Sequence, residues 1–192
     1  MLTTVITEPG AGFVTLADIK AHLKILHANE DTELEALLAT AHSYAESYTN
    51  SALRQKTLEG ALPGFPLSGV IHLTWAPLFS VTSVKYVDTS GVLQTMDSSQ
   101  YQIIKRGPVA RIERPAGVSW PETAPKSEAV LVTWVAGYAP DAEALTNARH
   151  AIKLLTGHWY FSREATDERG RTEEAPHSVA RLLDRYRQTG WI

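Results

Sequence analysis

"LEALLATAHSYAESY", residues 34–48, and "SVTSVKYVD", residues 80–88, decide the fold class between them. In the first, Leu34, Leu37, Leu38, Ala41, Tyr44, Ala45 and Tyr48 recur at three- and four-residue spacing, so one face of a long helix is apolar. In the second, β-branched and aromatic residues alternate over a short run, which reads as a strand. One chain therefore carries both periods, in separate blocks.

Upstream of the long helix, Thr15 and Asp18 form a capping-box pattern ahead of Leu16, Ile19 and Leu23, which predicts a first helix. Asn29 or Asp31 is placed to cap an expected second helix, and Glu30, Asp31 and Glu33 suit the positive end of its dipole. Downstream come "GVIHLTW" (69–75), "VLQTM" (92–96), "YQIIK" (101–105), "VARIE" (109–113) and "AVLVTWVA" (129–136), all strand-like. "DTSG" (88–91) and "RGPV" (106–109) read as hairpin turns, and 114–128 as a long proline-bearing loop. Helical spacing returns at Leu145, Ala148, Ile152, Leu155 and Trp159, and again in "PHSVARLLDRYR" (176–187), after the charged segment 166–174.

Runs of like elements indicate an α+β fold. The expected architecture is a helical bundle of three long or medium helices plus a short C-terminal helix, with one antiparallel β-rich insertion between helices 2 and 3. The boundaries are 1–54 and 138–187 for the bundle, 55–137 for the insertion and 188–192 for a tail.

Composition excludes several functions. The 192 residues contain no cysteine, which removes disulfides, thiolate metal sites and cysteine nucleophiles. No apolar run approaches the roughly 20 residues that span a bilayer, so no membrane partner is expected. The net charge is −3, with no basic patch for gripping DNA. "TVITEPGAGFVTLAD" (4–18) imitates a phosphate-binding turn, but Thr15 stands where the third glycine belongs. His150 and His158 are two helical turns apart, about 12 Å, too far for one ion. No G-x-S-x-G elbow or Walker motif occurs. The expectation is a non-enzyme with no metal and no cofactor. The enzymatic alternative uses His158 with Glu164 or Arg163.

"GHWYFSREA" (157–165) reads as the packed end of a helix. Gly157 there implies close approach of another backbone or a bulky ring. Trp159, Tyr160 and Phe161 span about 300° of the helix, so they cannot share one core, and with Arg163 they are candidate subunit-interface residues.

Four stretches carry a family resemblance: "VTLADIKAHLKI" (14–25), "EDTELEALLATAHSYAESYTNSAL" (30–53), "SWP" (119–121) with "VLVTWVAGY" (130–138), and "AIKLLTGHWYFSREA" (151–165). In this order they resemble the gp6-like phage head–tail connector (adaptor) family, in particular its prophage and gene-transfer-agent subgroup. The resemblance implies a structural subunit of a homo-oligomeric ring, commonly of twelve copies, in the neck of a tailed phage or phage-like particle. Its partners would be the portal protein and a head-closure (stopper) protein. Double-stranded DNA would pass through without sequence-specific binding, and assembly would occur in the host cytoplasm. Another neck or tail-completion protein is the alternative, but one expected to be dominated by β structure. The family also implies a portal-docking C-terminal segment. Trp191 and Ile192, with Gly190 giving the turn before them and Arg185 and Arg187 in support, are the candidate contacts.

Overall fold

The computed structural model describes residues 2–7, 12–106, 109–162 and 177–188. They form two compact units, one from residues 1–10 and 54–138 and one from 11–53 and 139–192.

The first unit is β structure in two antiparallel sheets. Strands β1 (Leu2–Thr7), β2 (Lys56–Leu62), β4 (Leu78–Val87), β5 (Leu93–Thr95) and β8 (Val130–Ala136) make a five-stranded sheet in the order β1-β2-β8-β4-β5. Strands β3 (Val70–Leu73), β6 (Gln102–Arg106) and β7 (Val109–Glu113) make a second sheet in the order β3-β7-β6. β8 is the central strand, and every second residue is buried: Val130, Val132, Trp134 and Ala136. That alternation is what a strand with one face on a core requires. Trp134 is fully buried and donates its indole N–H to the Thr74 carbonyl at 3.2 Å, so its polar edge is satisfied as well. In the second sheet Ile71 stands opposite Ile112, both fully buried.

The turns follow the side chains the sequence supplies. The "DTSG" turn closes on Asp88, whose Oδ1 accepts from Ser90 N at 2.9 Å and Val92 N at 3.0 Å. Those bonds and the Gln94 amide, the largest influence, hold its carboxyl below the usual range. Gly91 takes φ +83°, which other residues resist. Gly137 takes φ +115° where the Arg54 carbonyl crosses, leaving no room for a Cβ.

The second unit is helical: α1 (Leu16–Leu23), α2 (Asp31–Thr49), α3 (Thr146–Phe161) and α4 (His177–Asp184). The capping box at Thr15 and Asp18 is formed. α2 buries Leu34, Leu38, Ala41 and Ala45 along one side and half-buries Leu37, Tyr44 and Tyr48. It stops where Asn50 turns left-handed and its N–H bonds back to Glu46 O and Ser47 O. The Glu46 carboxylate then accepts from Leu53 N at 3.0 Å, which fixes the exit of the chain. On α3, Ala148, Ala151, Ile152 and Leu155 are buried, and α4 adds Val179 and Leu183.

The expected architecture needs correction. The chain does not build three long helices around a single β insertion. α1 has only 8 residues, because Lys24 enters the left-handed region at φ 58° directly after Leu23. β1 precedes every helix and pairs antiparallel with β2, Val5 against Leu58, so the β unit draws on two separate pieces of chain. The strands also divide between two sheets, since β3 finds its partner in β7 and not in the five-stranded sheet.

Candidate functional site

No helix among the described residues is long and apolar enough to cross a membrane. Nor do those residues contain a group of three or more His, Asp or Glu side chains able to hold a metal ion. Gly12, part of the phosphate-turn mimic, instead faces the His42 imidazole, which occupies the space a Cβ would need. Phe13 meets the same ring edge-on at 5.1 Å. His158 is half-buried on α3, and the partners expected for it, Arg163 and Glu164, lie outside the described residues.

The "HWYF" end of α3 separates into inward and outward groups. Trp159 meets Tyr44 edge-on at 5.9 Å, and Tyr44 stacks on Tyr48 at 6.2 Å. The Tyr48 hydroxyl donates to Asp184 on α4 at 2.8 Å, and that carboxylate raises the phenol above its ordinary pKa. The Tyr160 hydroxyl donates to Glu30 at 2.6 Å. Trp159 and Tyr160 are thus engaged within the helical unit. Phe161 touches the edge of Tyr160 at 5.2 Å, yet 75% of it is exposed. Of the expected interface set only Phe161 projects, and Arg163 lies outside the described residues. Gly157 does lie close to a neighbour, though not of the expected kind. A Cβ there would meet Leu23 Cδ2 at 3.2 Å, an aliphatic tip and neither a backbone nor a ring.

At the far end of the unit, α4 is held by Tyr186, which is 4% exposed and accepts from Ala148 N at 3.3 Å. Gln188 N then bonds Thr49 O at 2.8 Å. Arg185 and Arg187 are exposed, with guanidinium groups 5.7 Å from the Tyr186 ring and 5.6 Å from the Tyr48 ring. Gly190, Trp191 and Ile192 lie outside the described residues.

Sequence reasoning missed two exposed features. In the β unit, Trp120 of the long loop stacks on Phe65 at 4.7 Å, beside a shallow notch of about 490 Å³ that also includes Arg114 and the fully exposed Leu67. In the helical unit, Leu26 between α1 and α2 is 98% exposed. A lone leucine in "KILHANE" gives no periodic signal, so only the folded chain reveals it.

Residues 13–76 match the family model of the phage gp6-like head–tail connector proteins, in agreement with the resemblance read from the sequence. No curated protein matches the chain significantly. Among solved structures, a chain in the neck of an empty gene transfer agent (GTA) particle, computed with C6 symmetry, is similar with TM-score 0.77 and 24% identity. The similarity covers 100% of this chain and 98% of that one. A chain in the virion of a native GTA particle gives the same values. A chain in the neck of a native GTA particle, computed with C12 symmetry, has TM-score 0.74 and 22% identity over the same shares.

Proposed function

We propose that this chain is a structural head–tail connector (adaptor) subunit, acting in the neck of a tailed phage or a phage-like particle. The observation that carries the reading is a fold shared over the whole chain with chains of GTA necks and virions, joined to the connector-family match over 13–76. A ring of identical subunits, twelve in a C12 neck, surrounds a channel through which double-stranded DNA passes. The mildly acidic balance, −3 per chain, suits a conduit along which DNA must slide rather than be held. Such a subunit performs no catalysis, and the surfaces described above are those of a binding module.

The ring bridges the portal protein and a head-closure protein, and it assembles in the host cytoplasm before joining the particle. Phe161 lies at the contact between neighbouring copies. Arg185 and Arg187 mark where the chain leaves α4 toward Gly190, Trp191 and Ile192, the segment that docks on the portal.

The test mixes the portal protein encoded beside this one with the full chain, or with a chain ending at Arg187, and images the complexes by electron microscopy. Rings on the portal with the full chain alone support both the role and the docking segment. Rings with both remove the segment's role. Rings with neither, across a range of salt, refute the connector reading.

A further inference from the structure

Two exposed surfaces of the helical unit carry opposite charges, one beside apolar side chains and one among small ones. The first is the outer side of α1 and the turn after it. Leu16, Ala17, Ala21, Ile25 and Leu26 line an open, mostly apolar groove of about 640 Å³ with Lys24 on its rim. Leu26 is 98% exposed there. Lys20 in the same groove is already engaged by Asp31 at 2.6 Å, which leaves Lys24 as the outward cation. Leu26 and the groove together offer an apolar surface that a second copy can cover.

The second surface is the outer face of α2. Thr32, Glu35, Ala36, Ala39, Thr40 and Ser43 are all exposed and recur at three- and four-residue spacing. Apart from Glu35 none is larger than threonine, so a second backbone can approach closely. The Thr40 hydroxyl donates to Ala36 O at 2.9 Å and so asks nothing of a partner. Leu26 thus projects beside a cation, whereas the outer face of α2 is lined by small side chains and carries a carboxylate. Both belong to the same chain, and their contact is heterologous, the kind that generates a ring when its rotation closes.

We infer that the α1 corner of one copy seats on the outer face of α2 of the next, with Leu26 over Ala36, Ala39 and Thr40 and with Lys24 paired to Glu35. This inference rests on the connector-ring reading and supplies one of its subunit contacts.

The absence of cysteine makes the test direct. Leu26→Cys and Ala39→Cys are prepared as separate full-length chains, mixed under conditions where the unmodified chain forms rings on the portal, and oxidised. The contact yields a covalent dimer in the mixture and none in either chain alone. In parallel, K24E or E35K alone weakens assembly roughly tenfold, and K24E/E35K together restores it. Circular dichroism verifies that each variant is folded. If rings form while the mixture stays monomeric on non-reducing gels, the inference is overturned and the connector reading stands. If the unmodified chain forms no rings, both fall.

Discussion

Asp18 anchors α1 at its start and ties it to α3, so its replacement should register clearly in stability. Its Oδ2 accepts from Thr15 N at 3.0 Å and from Thr15 Oγ1 at 2.8 Å. Its Oδ1 receives Lys153 Nζ at 3.0 Å. The Thr15 backbone bond, then the Thr15 hydroxyl, then Lys153 lower its pKa from 3.8 to about 2. At about 1.36 kcal/mol per unit the shift corresponds to roughly 2 kcal/mol before solvent screening. The side chain is 42% exposed, so solvent screening reduces the effective contribution to about 1 kcal/mol. Asp18→Asn keeps an acceptor for the Thr15 amide but removes the charge, and should cost about 1 kcal/mol at pH 7. The folded pKa is depressed, so the contribution is present above about pH 4 and lost as pH falls through about 2. Urea denaturation followed by helical circular dichroism, on both chains at pH 7, 4 and 2.5, measures this. The gap between the two chains should be full at pH 7, slightly smaller at 4 and much reduced at 2.5. A gap unchanged at pH 2.5, or none at pH 7, would refute the assignment of this charge to the cap and to Lys153.

Gly137→Ala places a Cβ against the Arg54 carbonyl at a φ of +115°, and should lower stability by about 3 kcal/mol or more, read as a large loss in melting temperature or in soluble yield. Gly157→Ala should behave oppositely. Helix propensity favours alanine by about 1 kcal/mol, and the opposing atom is the mobile tip of Leu23 at 3.2 Å, so denaturation should show no loss and up to about 1 kcal/mol of gain. Phe161→Ala should leave the melting temperature within error while reducing ring assembly on the portal, whereas Trp159→Ala should destabilise the free chain through the lost Tyr44 contact.

Local signals in the sequence were reliable where the structure they specify is itself local. The stripe from Leu34 to Tyr48, the Thr15–Asp18 cap and the Asp88 turn are each set by residues within a few positions of one another, and each formed. Pairing between distant segments was not legible. "LTTVIT" (2–7) is rich in β-branched residues, yet the neighbouring "EPGAG" carries the composition of a turn. Its partner β2, "KTLEGAL", has a glycine in the middle and lies some fifty residues away. Nothing in the composition of β3 says that Ile71 will face Ile112 of β7 rather than extend the five-stranded sheet. Sheet membership depends on which registers bury the most apolar surface together, and that is a property of the whole unit.

The same distinction governs the functional surfaces. Three consecutive aromatics at 100° per residue cannot share a core, so the sequence requires that at least one of Trp159, Tyr160 and Phe161 faces elsewhere. It does not say which, because the answer depends on partners more than a hundred positions away. Glu30 captures Tyr160, Tyr44 receives Trp159, and neither arrives beside Phe161. Leu26 is the converse case, a residue with no pattern around it that folding leaves almost wholly in solvent. Phe161 and Leu26 are apolar groups that the monomer's own packing does not use, and under the proposed connector role they are surfaces offered to a neighbouring copy, which no motif in the sequence marks.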